Sequence, residues 1–148
     1  MNFTFLLIGE NNLLIQCGEL LLQKKQIIKC IISSVPLIKS WSEKNNILCF
    51  DSLTELPSDF SVDYLFSIVN GIILTKEHLK MARLGSINYH DSPLPKFAGV
   101  HATTWSIMQE EKKHGITWHF ITEGIDEGDI VYQSEWQTFA NETTLSLN

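Results

Sequence analysis

Phe3-Thr4-Phe5-Leu6-Leu7-Ile8-Gly9 decides the fold class. The run is apolar apart from Thr4, ends on a glycine, and lacks the alternation of a half-wetted strand. Such a run suits a strand buried on both faces, as in a parallel sheet. Outward from it, strand and helix signals take turns. Asn11 and Asn12 are capping residues, and Leu13, Leu14, Cys17, Leu20 and Leu21 recur at helical spacing. Ile27-Ile28-Lys29-Cys30-Ile31-Ile32 predicts a second strand. Pro36 opens a helix through Trp41, residues 46–50 read as a third strand, and Leu56-Pro57 marks a turn. Residues 64–69 read as a fourth strand, closed by Asn70-Gly71. Thr75 can cap a helix through Ala82, and residues 85–89 read as a fifth strand. Strands alternating with helices predict a doubly wound α/β fold with a Rossmann-like, mostly parallel sheet. Ligands of such sheets bind beyond the carboxyl ends of the strands.

Composition narrows the function classes. The 148 residues carry a net charge of -6, with 44% hydrophobic and 19% charged residues. That is a folded, acidic chain, which argues against a general nucleic-acid surface and against an anionic membrane face. No apolar stretch approaches the roughly 20 residues of a membrane helix. Residues 3–8 have neither the basic start nor the cleavage site of a signal peptide. Leu13-Leu14-Ile15-Gln16-Cys17 lacks a basic start, and Gln16 is wrong for a lipoprotein site. Cys17, Cys30 and Cys49 are scattered and odd in number, so reduced, buried thiols in a cytoplasmic protein are expected.

The second half changes character. Residues 91–99 form a long loop, and a helix is expected over 102–112. Residues 115–122 and 129–137 read as two strands around a Gly-flanked acidic loop, an antiparallel extension near the C-terminal end of the sheet. A last helix starts at Thr143 and would run to Asn148.

Three clusters carry polar chemistry. On a strand Asn88 and His90 point to one side, about 6.6 Å apart along the chain, where an amide donor and an imidazole can meet one ligand. By spacing alone the favoured reading is that they close the strand and cap the loop. In the second cluster, Thr117-Trp118-His119-Phe120 precedes Thr122-Glu123-Gly124-Ile125-Asp126-Glu127-Gly128. A carboxylate held there at Asp126 can sit near an imidazole, and a solvated acidic turn is the plain alternative. The third is Phe66-Ser67-Ile68-Val69-Asn70-Gly71-Ile72-Ile73, a strand-to-helix turn whose backbone could line a pocket. Gly9-Glu10-Asn11 lacks the dinucleotide fingerprint, and neither a phosphate-binding loop nor a serine-nucleophile elbow is present. His90, His101, His114 and His119 have no metal-ligand spacing, so no metal is expected.

Together the clusters resemble the formyltetrahydrofolate-dependent formyltransferases, whose pattern is Asn-x-His, Ser-x-x-Pro, Gly-Val-Thr-x-His and Asp-x-Gly. Here these are Asn88-Tyr89-His90, Ser92-Pro93-Leu94-Pro95, Gly115-Ile116-Thr117-Trp118-His119 and Asp126-Glu127-Gly128. The resemblance implies that Asn88, His90 and Asp126 are catalytic and that His119 and Ser92 support them. It implies that Ser67, Ile68, Val69, Asn70, Gly71 and Ile72, with Ile121, Thr122, Glu123 and Gly124, line the folate site. The implied reaction moves a formyl group from 10-formyltetrahydrofolate to a primary amine, directly, without a covalent enzyme intermediate and without metal.

The resemblance also implies that 1–148 is a formyltransferase-like catalytic domain truncated at its C-terminal end, because the family's domain is longer. Asp91, directly after His90, stands where many members have a small residue or Pro. Phe5-Leu6-Leu7-Ile8-Gly9-Glu10-Asn11 and Leu14-Ile15-Gln16-Cys17 look similar to formyltransferase-like domains that begin some bacterial peptide synthetases. The expected acceptor is then a carrier-protein-bound amine in nonribosomal peptide synthesis, with no membrane partner expected and the acidic charge arguing against nucleic acid. An amino-sugar nucleotide acceptor, a formyltetrahydrofolate hydrolase and a non-catalytic docking domain or remnant are the alternatives.

Overall fold

The computed structural model describes residues 2–139 and 141–147, arranged as two compact units that divide after Ile87. In the first unit the order is β1 (Thr4–Gly9), α1 (Asn12–Gln23), β2 (Ile27–Ile32), α2 (Pro36–Lys44), β3 (Leu48–Phe50), β4 (Val62–Ile68) and α3 (Lys76–Leu79). A fifth strand, β5 (Ala82–His90), starts here and ends in the second unit. The strands lie in the order β3-β2-β1-β4, with β5 next. β1 runs parallel to both β2 and β4, and β2 runs parallel to β3. The order reverses direction at β1 and β4, the switch-point arrangement of α/β sheets. Phe5, Leu6, Leu7 and Ile8 are all buried, so the uninterrupted apolar run is explained by cover on both faces.

Local choices agree with that layout. Asn11 caps α1, its side chain accepting from Leu13 N–H at 3.1 Å. Pro36 stands in the first turn of α2, where its missing N–H costs nothing. Gly18 of α1 makes room for Trp41 of α2, because a Cβ there would lie 2.4 Å from the indole. Leu6, Ile8, Cys30, Ile32, Leu53, Val62 and Leu65 pack as one core. Each fully buried aliphatic side chain contributes roughly 1.5–3 kcal/mol. At the other end of the sheet, the Asp63 carboxylate accepts from Thr4 N–H and Thr4 O–H, each at 2.8 Å, and pairs with Arg83. Those hydrogen bonds hold its carboxyl below the usual range.

The second unit contains the end of β5, α4 (Ala102–Met108), β6 (Lys113–Phe120), β7 (Ile130–Gln137) and α5 (Thr144–Leu147). β6 and β7 are antiparallel, with Thr117 opposite Gln133 and a register shift between Trp118 and His119. A doubly wound class with a mostly parallel sheet and an antiparallel C-terminal extension is therefore what the chain adopts.

Several boundaries differ from expectation. The helix expected through Ala82 is one turn, because Val62 N–H bonds to Met81 O and the chain is already extended at Ala82. The helix expected to residue 112 stops at Met108. Glu110 turns to φ 51°, and Glu110 N–H and Glu111 N–H close back on Ile107 O and Ser106 O. The strand expected over 115–122 is shifted to Lys113–Phe120. The last residue of the expected terminal helix, Asn148, lies outside the described residues. Of the three thiols only Cys30 is buried, whereas Cys17 and Cys49 are half-buried. Burial pushes the Cys30 thiol up to about 12 and the Cys17 thiol up to about 11, so neither is a thiolate at neutral pH.

Candidate active site

The second unit brings four of the expected side chains together. His90, at the end of β5, is 6% exposed and His119, at the end of β6, is 2% exposed. Their ring centroids are 6.5 Å apart, nearly perpendicular. Asp126 reaches both: its Oδ2 lies 3.5 Å from His90 Nδ1 and its Oδ1 lies 3.4 Å from His119 Nε2. Both contacts are longer than good hydrogen bonds and become ion pairs only when the ring nitrogen facing Asp126 is protonated. The short bond to Asp126 comes from the Gly99 N–H, 2.7 Å from Oδ2. Asn88 Nδ2 stands 3.3 Å from His119 Nε2. Asn88, His90, His119 and Asp126 thus form one polar cluster.

Local structure explains how each is aimed. Asn88 and His90 share a face of β5, and Tyr89 between them packs edge-on against Trp118 of β6 at 5.3 Å. The register shift after Trp118 re-aims His119. Asp126 sits at φ 54°, a left-handed conformation that Asp tolerates better than most residues. Gly128 allows the loop to pass close to β6, since a Cβ there would stand 1.7 Å from Phe120 O.

Hydrogen bonds to carbonyls assign the ring protons. His90 Nε2 is 2.9 Å from Phe97 O, which only accepts, so Nε2 carries a proton and Nδ1 faces Asp126. His119 Nδ1 is 2.9 Å from Phe120 O and is likewise a donor. With His119 neutral, its Nε2 accepts from one N–H of the Asn88 amide. Ser92, fully buried, donates to Lys96 O at 2.6 Å and so shapes the loop that presents Phe97 O. Asp91 is turned away to Thr103, whose hydroxyl lies 3.5 Å from Asp91 Oδ2.

The expected folate-lining residues fall in two separate stretches. In the first unit, Ser67 is buried at the end of β4. Asn70 closes the turn on itself: its Nδ2 donates to Ile72 O at 3.0 Å, and Ile72 N–H donates back to Asn70 Oδ1 at 3.0 Å. Val69 stands at φ 48°, a strained value for a β-branched residue. In the second unit, Thr122, Glu123 and Gly124 are exposed, Ile121 is half-buried, and the Glu127 carboxylate folds over Gly124. Among the described residues, no three His, Cys, Asp or Glu side chains are grouped to hold a metal ion, and no helix is long and apolar enough to cross a membrane.

Sequence reasoning missed Phe97, Gly99, Thr117 and Gln133 as parts of the site. Phe97 and Gly99 act through backbone atoms, which carry no side-chain signal. Thr117 lies inside a recognised motif, but only the structure shows what its hydroxyl does.

The family model for formyl transferases matches residues 17–148. The bifunctional polymyxin resistance protein ArnA of Wigglesworthia glossinidia brevipalpis is 36% identical over 103 residues, 70% of this chain and 15% of that protein. Methionyl-tRNA formyltransferase of Clostridioides difficile (strain 630) is 31% identical over 118 residues, 75% of this chain and 38% of that protein. The chain thus spans well under half the length of these curated relatives. Among solved structures, the sugar 3N-formyl transferase WlaRD, crystallised in the presence of dTDP and 5-N-formyl-THF, superposes with a TM-score of 0.78 at 25% identity, covering 99% of this chain and 56% of that one. Phosphoribosylglycinamide formyltransferase from Anaplasma phagocytophilum shares the fold, with a TM-score of 0.83 at 20% identity over 99% of this chain and 78% of that one. The chain belongs to the formyl transferase family.

Proposed function

We propose that this member of the formyl transferase family carries a formyltransferase catalytic domain in residues 1–148, which moves a formyl group from 10-formyltetrahydrofolate directly to a primary amine. The observation that carries the reading is the position of Asp126 between His90 Nδ1 and His119 Nε2, with Asn88 on the same imidazole. Attack of the amine nitrogen on the formyl carbon makes a tetrahedral intermediate bearing an oxyanion. The second Asn88 N–H and, with His90 protonated on both nitrogens, its Nδ1–H donate to that oxygen. The 3.5 Å contact of Nδ1 with Asp126 is loose enough to release this donor. Asp126 takes the proton shed by the amine and returns it, directly or through water, to N10 as the carbon–nitrogen bond breaks. The balance needs neither a metal nor a covalent enzyme intermediate. Residues 121–124 are proposed to contact the folate, and residues 67–72 of the first unit are proposed, separately, for the same task.

For the acceptor we favour an amine on a carrier-bound aminoacyl group of a peptide synthetase. No Lys or Arg follows Lys113, so the part of the chain that holds Asp126 offers little to a phosphate-rich partner such as tRNA. An amino-sugar nucleotide is the second reading, favoured by the likeness to WlaRD. The three unpaired cysteines suit a cytosolic setting.

The test is calorimetric titration of the folded chain with a stable 10-formyl-folate analogue, followed by formyl transfer to aminoacyl-pantetheine thioesters and to dTDP-amino sugars. One-site binding and transfer to an amine support the proposal, and the preferred amine chooses between the readings. Formate release without any amine would make the protein a hydrolase. No binding by a folded chain would favour a non-catalytic domain.

A further inference from the structure

The hydrogen bonds behind His90 converge on one side chain of β7. Gln133 is half-buried, and its amide nitrogen donates to Leu94 O at 2.8 Å and to Thr117 Oγ1 at 2.9 Å. Both N–H groups of the amide are thereby used. Thr117 is fully buried, and its hydroxyl donates to Ser92 O at 2.7 Å while accepting from Leu94 N–H at 3.0 Å. With the Gln133 bond, every donor and acceptor position on that hydroxyl is filled. Three backbone groups of residues 92–94 are thus fastened to β6 and β7. Ser92 extends the fastening to Lys96 O at 2.6 Å. Phe97, next in the chain at φ 57°, then presents its carbonyl to His90 Nε2 at 2.9 Å.

We propose that Gln133, acting through Thr117 and the loop 92–97, is a positioning residue that fixes neutral His90 as the Nε2–H tautomer, so that the proton that charges the ring sits on Nδ1, facing Asp126. The chemical reason is one-sidedness. A carbonyl cannot donate, so a carbonyl held at Nε2 forbids the Nδ1–H tautomer of the neutral ring. A loop free to move releases that restriction. The charged and titratable groups facing His90 are Asp126 and His119, and His114 also feels its charge. None of them touches Gln133 among the contacts described above, so altering Gln133 leaves them in place. The kinetic part of this inference rests on the proposed formyl transfer, whereas the tautomer does not.

The experiment labels the histidines of the whole chain with 15N and raises the pH until the His90 ring signals stop changing, so that the neutral ring is read. His90→Asn assigns the signal. The expected native spectrum shows one tautomer, protonated at Nε2. Gln133→Met is expected to give mixed tautomers, and to lower kcat roughly 10- to 100-fold with the donor KM changed by less than about 3-fold. Thr117→Ser, which keeps the hydroxyl, is expected to stay native in both readouts. Should Gln133→Met fail to fold, Ser92→Ala loosens the same loop from its other end and is expected to mix the tautomers too. A native tautomer in a folded Gln133→Met or Ser92→Ala chain overturns the inference, as does a native His90 ring protonated at Nδ1. Mixed tautomers in a chain that transfers no formyl group to any amine would uphold the positioning role and refute the proposed reaction.

Discussion

Gly128→Ala tests the link between close packing and chemistry. A Cβ at position 128 would stand 1.7 Å from Phe120 O, 2.7 Å from the Phe120 carbonyl carbon and 3.3 Å from Thr122 Cγ2. Non-bonded atoms settle at roughly 3.5 Å, so the Phe120 carbonyl or the loop must move by well over about 1 Å. The obstacle is backbone, so no rotamer change relieves it. Overpacking of this kind costs about 1–3 kcal/mol, equivalent to a fall of roughly 2–12 °C in Tm for a chain of this size. The displaced carbonyl is also the acceptor for His119 Nδ1 at 2.9 Å. Moving it disturbs His119, and with it the 3.3 Å contact to Asn88 and the 3.4 Å contact to Asp126. A loss in kcat of about 10- to 100-fold is therefore expected beside the stability loss. Thermal melts and formyl-transfer kinetics on one preparation measure both. Gly18→Ala is the comparison, because its Cβ meets the Trp41 ring in the first unit at 2.4 Å. It should lower Tm and leave kcat alone. Native Tm and kcat in Gly128→Ala would refute the reasoning, and a loss of Tm without loss of kcat would refute its second half.

Three further outcomes are expected. Asn88→Ala and His90→Ala should each lower kcat about 100- to 1,000-fold while calorimetry shows the donor analogue still bound, since each removes a donor to the oxyanion. Weakened binding with intact kcat would reverse the assignment. Gly99→Pro removes the N–H that holds Asp126 at 2.7 Å and forbids the φ of 94° at that position. Transfer should fall sharply, and an unchanged rate would show that Asp126 needs no such anchor. His114 is buried, and burial lowers its pKa against the opposing pull of the Asp91 charge and backbone. A native pKa below the unfolded 6.5 means full stability above pH 6.5 and a loss as pH falls from there through the lowered native value. The denaturant midpoint should therefore drop less on acidification in His114→Leu than in the parent, and equal drops would remove His114 as the cause.

The alternation of strands and helices was legible because a parallel sheet demands continuous apolar runs, and Phe5–Ile8 and Ile31–Ile32 have no other use. Helix ends were less legible. The helix expected through Ala82 gave way to a strand because pairing in the sheet outweighs local helical preference, a tertiary effect that spacing cannot show. The end of α4 was set by a left-handed Glu110, a conformation that its side chain does not advertise. In the site, Asn88, His90, His119 and Asp126 were legible because their chemistry lies in their side chains. The clamp on residues 92–94 was not. A lone Gln on an exposed strand resembles any solvated amide until its two donors are seen to be spent on Leu94 O and Thr117 Oγ1.

Among the described residues β7 is the last strand in the sheet order, beside β6, and Ile130, Val131 and Tyr132 are 50%, 50% and 57% exposed. An unpaired, apolar ladder edge invites the same edge of another molecule. What opposes such contact in solution is mutual repulsion from a net charge of -6. That protection disappears near the isoelectric point of about 5.3 and is shortened to about 10 Å by 0.1 M salt. Acidic or high-salt purification steps should drive the protein into sedimenting material, and a single lysine at position 131 should keep it dispersed.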